Sequence, residues 1–249
     1  MRYFIITGAS KGLGEGIAMA LINENHHLLC ISRSESVPLT RMADAKNCRV
    51  NFFHFDLAVS HDIPVLCNKV FSEIDAQKAE GIYLINNAGV LNPVGRIESC
   101  DPAQVENHIR VNLLAPMLLT AEFIKAFKGI DTQKRILNIS SGAAKFPYYG
   151  WSSYCSSKAA MDMHSLCVET EQKDEKYPTE VMAVAPGIID TDMQTTIRAT
   201  SEEQFIHKKK FIEYKETGKL IPPNLAGLKL AELLLSDTFD SGKVIDLRD

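Results

Sequence analysis

The 249-residue chain carries six cysteines, Cys30, Cys48, Cys67, Cys100, Cys155 and Cys167, without one CxxC spacing or a cysteine–histidine cluster. A zinc site is therefore not written into the sequence, and no metal is expected. Several of these cysteines sit inside apolar runs, where Cys packs as a small hydrophobe, so a reduced, cytoplasmic setting is expected. No apolar run approaches membrane-spanning length, which argues against a membrane protein. Residues 1–7 are too short for a signal peptide and lead at once into a glycine turn, so no leader is expected. Excess charge is missing too: the net charge of −4 gives no general attraction for nucleic acid or anionic lipid. The one basic run, Lys208-Lys209-Lys210, is flanked by Glu202, Glu203 and Glu213 and reads as a solvated helix face. There is no internal repeat and no low-complexity linker, which leaves a single domain over residues 1–249.

What the chain does have is alternation. Short apolar runs at 3–7, 28–32, 50–56, 82–86, 135–140, 180–185 and 242–246 are rich in Ile, Val, Leu and Phe, as strands buried on both faces should be. Longer amphipathic stretches at 13–24, 63–77, 102–127, 153–176 and 224–235 read as helices between them. The predicted fold is α/β: one doubly wound parallel sheet of Rossmann type, about seven strands, with helices on both faces. Ligands bind such sheets beyond the carboxyl ends of the strands, so chemically interesting residues should follow strands directly. The long stretch 186–223, with a helical segment around 202–216, predicts a substrate lid over about 188–220.

Thr7-Gly8-Ala9-Ser10-Lys11-Gly12-Leu13-Gly14 follows the first strand and opens the first helix. A plain strand-to-helix turn needs one glycine; Gly8, Gly12 and Gly14 together let the backbone approach a pyrophosphate at a helix N-terminus. A dinucleotide with a free ribose 2′-hydroxyl wants an acid at the end of the second strand. That end reads Ile31-Ser32-Arg33-Ser34, and Lys11 adds another cation, so a 2′-phosphate is favoured and NADPH is the expected cofactor, unless Arg33 simply faces solvent. Asp56-Leu57, ending the third strand, would either cap a turn or meet the adenine.

Tyr154 and Lys158 lie four apart at the start of a helix and share a face. A free tyrosine has a pKa of about 10, and a neighbouring ammonium lowers it, making a tuned acid. The pair gains meaning from Asn138-Ile139-Ser140-Ser141-Gly142 directly after the fifth strand, where a serine hydroxyl would meet a substrate oxygen. Asn112, within an apolar helical stretch, is either a helix-distorting core amide needing partners or a functional group.

Taken in order, Thr7 to Gly14, Asn86-Asn87-Ala88-Gly89, Ser141 with Tyr154 and Lys158, and Pro186-Gly187 with Thr191 resemble the motifs of the short-chain dehydrogenase/reductase family over nearly the whole chain. The resemblance implies Tyr154 as proton donor, Ser141 holding the carbonyl, Lys158 binding the nicotinamide ribose, and Asn112 anchoring a proton-relay water. It further implies that Asn87, Ala88 and Gly89 support the adenosine side. The Ile188 backbone and Thr191 would grip the carboxamide, with Gly8, Ser10, Lys11, Gly12, Leu13, Gly14, Arg33, Asp56, Leu57, Tyr154, Lys158, Pro186 and Gly187 completing the cofactor site.

Within the family, the segments 150–155, 185–194 and 241–246 resemble those of sepiapterin and benzil reductases. This implies reduction of one carbonyl of a vicinal dicarbonyl, a small-molecule substrate met by Ser141, Tyr148, Trp151, Met193 and Asp246. Phe146, Tyr149 and Phe205 would also lie near the cleft, either lining it or packing the lid. The helices 102–127 and 153–176 resemble those that pair in family dimers, so a homodimer is expected. The alternatives are a reductase of other ketones, quinones or 3-oxoacyl thioesters, and a catalytically idle NADPH-sensing protein.

Overall fold

The computed structural model describes residues 1–248. Seven strands form one sheet: β1 (Arg2–Thr7), β2 (His26–Ser32), β3 (Arg49–His54), β4 (Gly81–Asn86), β5 (Gln133–Ile139), β6 (Glu180–Ala185) and β7 (Val244–Asp246). Every pairing is parallel, in the order β3-β2-β1-β4-β5-β6-β7. The order reverses between β1 and β4, which opens a crevice at their carboxyl ends.

Period-two alternation divides the strand residues between two cores. Phe4, Ile6, Leu28, Cys30, Tyr83, Ile85, Leu137 and Val184 face α1 (Gly12–Ala20), α2 (Val37–Ala45) and α9 (Pro223–Leu235). Tyr3, Ile5, Leu29, Ile31, Ile82, Leu84, Ile136 and Val181 face α3 (Ile63–Phe71), α5 (Ala115–Phe127) and α6 (Ser152–Gln172). Each large apolar side chain buried this way contributes about 1.5–3 kcal/mol. A methyl at Gly227 of α9 would lie 2.2 Å from the Gly16 carbonyl carbon of α1, so these two helices meet backbone to backbone.

Several elements differ from the expectations. The predicted helix 102–127 is α4 (Pro102–Ile109) and α5 joined by a π-helical turn, Arg110–Leu114. The stretches 13–24, 63–77 and 153–176 end early, at Ala20, Phe71 and Gln172. β3 and β5 each stop short of the predicted end, at His54 and Ile139, and β7 starts at Val244 rather than 242. α2 was not expected; a Ser36 cap starts it, and only Leu39 and Ala43 are buried, too weak a stripe to read.

The stretch 186–223 is more regular than expected, holding α7 (Asp192–Ala199) and α8 (Lys208–Glu216), whereas the predicted helical residues 202–207 form turns. Its two ends are pinned together: the Ile221 N–H donates to the Ile188 carbonyl at 2.8 Å and the Asp190 N–H to the Ile221 carbonyl at 2.9 Å. Ile197, Phe205 and Phe211 anchor it in a third apolar cluster with Trp151 and Tyr154.

Candidate active site

The strand ends are joined first. Thr7 Oγ1 accepts the N–H groups of Asn87 and Ala88 at 2.9 and 3.0 Å, locking the end of β4 to the end of β1. Asn87 Nδ2 then donates to the Thr7 carbonyl at 2.9 Å. The glycine turn is built against this bridge. Gly8 has φ +70°, and a methyl on Gly14 would lie 2.2 Å from the Gly8 carbonyl oxygen, so neither position accepts a side chain. The turn therefore offers bare backbone at the start of α1, a cradle suited to phosphate.

Above it lies a cavity of about 1110 Å³. Gly8, Ser10, Lys11, Gly12, Leu13, Gly14, Arg33, Asp56, Leu57, Asn87, Ala88 and Gly89 line one part; Ser141, Tyr148, Trp151, Tyr154, Lys158, Pro186, Gly187, Ile188, Thr191 and Met193 line the rest. All the sequence-selected site residues except Asn112 and Asp246 are thus on one continuous surface. Among the described residues no group of three or more metal-ligating side chains occurs.

Tyr154 and Lys158 are buried on the first turns of α6, with the Lys158 Nζ 5.8 Å from the Tyr154 ring centre. Nζ donates to the Ile139 carbonyl at 2.7 Å, which fixes α6 to the end of β5. Burial pushes the lysine down to about 8, offset in part by the Asp162 carboxylate. Burial pushes the Tyr154 phenol up, and the Ser141 hydroxyl beside it pulls the other way. Ser141 caps the short turn Gly142–Ala144, its Oγ accepting from the Ala143 N–H at 3.2 Å. Asp162, one turn beyond Lys158, was not anticipated; its carboxyl is raised by burial, lowered in turn by Ser140 and Lys158. The signal was available, since Lys158 and Asp162 are four apart on one helix.

Asn112 stands behind the cavity, within the π-helical turn. Its Oδ1 accepts from the Val90 N–H and its Nδ2 donates to the Val90 carbonyl, both at 2.8 Å. A methyl on Gly89 would lie 3.5 Å from Asn112 Oδ1 and 3.9 Å from Lys158 Nζ, so the three groups converge. The π turn breaks the helical ladder at that position, the distortion that a core amide there implies.

Two selected residues have unexpected partners. Lys11 pairs with Asp192, the first residue of α7, at 2.6 Å. The Asp246 carboxylate does not line the cavity; it accepts from Arg248 Nε at 2.8 Å and Nη2 at 2.5 Å, and it is Arg248 that reaches the cavity wall. Of the expected bulky groups, Phe146, Tyr148, Trp151 and Met193 line the cavity, joined by Phe211 and Tyr214, while Tyr149 is exposed and does not. Phe205 is fully buried and stacks on Trp151 at 4.5 Å, so it packs the lid.

A parallel doubly wound sheet, a glycine cradle at its switch point and a buried Tyr–Lys pair beside a strand-end serine together define a dinucleotide-dependent oxidoreductase site. The short chain dehydrogenase family model matches residues 2–202, and the chain belongs to that family of nicotinamide-dependent oxidoreductases. It is 42% identical over 245 residues to a benzil reductase ((S)-benzoin forming) of Bacillus cereus, covering 98% of both chains. It is also 31% identical over 255 residues to the sepiapterin reductase of Xenopus tropicalis, covering 98% of this chain and 95% of that one. The solved structure of the KRED1-Pglu enzyme matches with a TM-score of 0.82 at 29% identity, over 98% of this chain and 100% of that one.

Proposed function

We propose that this protein is an NADPH-dependent carbonyl reductase that reduces one carbonyl of a vicinal dicarbonyl, with Tyr154 as proton donor. The observation that carries the reading is the convergence of Ser141, Tyr154 and Lys158 on one wall of the cavity that the glycine cradle also lines. When bound, the nicotinamide supplies a hydride. Ser141 offers its hydroxyl to the substrate oxygen and stabilises the charge that grows there. Tyr154 gives that oxygen its proton, and the Lys158 ammonium steadies the phenolate left behind. The groups around Gly89, Asn112 and Lys158 lie where a proton could be returned from the interior side. Exposed Leu114, Met117 and Met163, on the π turn, α5 and α6, fit pairing as a homodimer, and six free thiols fit a reducing, cytoplasmic setting.

Preference for NADPH rests on Arg33, since Ser32-Arg33-Ser34 lines the cavity with no acid among them. Lys11 shares its charge with Asp192, so Arg33 is assigned the larger part. Arg33→Asp is expected to raise the KM for NADPH by roughly 10- to 100-fold and to lower that for NADH, the size of a lost charge-assisted hydrogen bond. Unchanged nucleotide preference in that variant would contradict the assignment.

The substrate is the finer question. In a pterin-reducing site a free carboxylate would receive the guanidine-like edge, but here Asp246 is engaged by Arg248. Reduction of benzil is therefore expected to exceed that of sepiapterin in kcat/KM, by about tenfold or more, the worth of a single lost charged contact. NADPH consumption with benzil, aliphatic 1,2-diketones and sepiapterin tests this; preferential turnover of sepiapterin, or turnover of none, would reject it.

A further inference from the structure

Behind the cavity wall lies a buried titratable side chain that the mechanism above does not use. His108, fully buried, precedes Asn112 by four residues and shares its face. Its Nδ1 lies 2.8 Å from the Asn92 carbonyl, which can only accept, so Nδ1 carries the proton and Nε2 is left as an acceptor. Nε2 lies 3.0 Å from Asn112 Nδ2 and 3.0 Å from Ser157 Oγ. Both N–H groups of the Asn112 amide are thereby used, one on Val90 and the other on His108, while its oxygen accepts from Val90. Ser157 has a single O–H, which it gives either to Nε2 or to the Tyr154 carbonyl 2.9 Å away in the first turns of α6. The imidazole meets the Tyr154 ring edge to face, 6.0 Å between centres at 82°.

We propose that His108 is a positioning residue, a neutral imidazole tying the loop after β4, the π turn at Asn112 and the first turns of α6 into one frame that holds Tyr154 against Lys158. The inference rests on Tyr154 being the proton donor. A protonated ring would turn an N–H toward the amide N–H of Asn112, so the neutral form is the one that accepts from it. Burial and the Lys158 charge both hold His108 below its ordinary value, which keeps that form populated.

Three variants test this with benzil and NADPH. His108→Leu fills the space without nitrogen atoms. His108→Gln can return an acceptor near the place of Nε2. His108→Asn keeps only a donor toward Asn92 and replaces the leucine variant if that one does not fold. The leucine variant is expected to lose kcat by about 10- to 100-fold with KM unchanged, the effect of a small misplacement of reacting groups. The glutamine variant should recover most of it at a similar melting temperature. A second readout needs no substrate: the ultraviolet phenolate titration that the parent shows and Tyr154→Phe lacks should move upward in the leucine variant and return in the glutamine variant. That titration judges His108 even if no dicarbonyl is turned over. Parent-like kcat and titration in the leucine variant would overturn the proposal, as would equal losses in both variants that merely track their melting temperatures.

Discussion

Replacing Tyr154 with phenylalanine is expected to lower carbonyl reduction by about 10²- to 10⁴-fold, the range for removing a positioned general acid. The loss should appear in kcat and kcat/KM alike, because the phenolic proton is used in the transition state and not in substrate docking. NADPH binding, measured by fluorescence titration, should stay close to the parent value, since the cradle at Gly8 and Gly14 and the Asn87 bridge do not involve Tyr154. The ring packs between Trp151 and His108, contacts that phenylalanine keeps, so the melting temperature should also hold. Retained turnover would remove Tyr154 from its assigned role.

Lys158→Met should separate activity from stability. The lysine is buried with a pKa near 8, below its ordinary value of 10.5. Between those values the unfolded chain holds a proton that the folded chain has released, so Lys158 contributes stability that grows with pH across this window. Below about 8 the full cost of the buried charge is present, on the order of 3 kcal/mol with the favourable Asp162 contribution included. Cys30, Cys48, Cys67 and Cys155, pushed up by burial from an ordinary value of 9.0, work in the opposite sense, as Tyr154 does at higher pH, so the Lys158 effect is read as the difference in slope between parent and variant from pH 8 to 10. In Lys158→Met this contribution should vanish, and with the lost Ile139 hydrogen bond offsetting part of the gain the melting temperature at neutral pH should increase by roughly 4–8 °C. Turnover should meanwhile fall by at least about 100-fold, as the phenolate loses its countercharge. A variant less stable than the parent at neutral pH, with the same slope between pH 8 and 10, would contradict the account.

The sheet and most of the site were legible because strands buried on both faces and a glycine-rich turn have local signatures. Phe4, Ile6, Leu28 and Cys30 announce themselves by composition, and Gly8, Gly12 and Gly14 by spacing. The π turn at Asn112 was legible only as one of two readings of that amide, because the same residues satisfy a continuous helical pattern and its partner Val90 lies in another loop. His108 escaped notice for a related reason: its partners Asn92 and Ser157 are 16 and 49 residues away. Charge partners were the least readable. Lys11 read as available for phosphate and Asp246 for substrate, whereas Asp192 engages the first from 181 residues away and Arg248 engages the second from only two residues along.

The central claim is that hydride from NADPH and a proton from Tyr154 reach one carbonyl of a dicarbonyl in a single step. It is tested most directly by a single turnover of benzil with NADPH carrying deuterium at the transferable nicotinamide position. The account predicts benzoin with one enantiomer in excess and deuterium on its carbinol carbon, formed by the parent and not by Tyr154→Phe on the same timescale. Benzoin without deuterium, or equal product from both proteins, would contradict it.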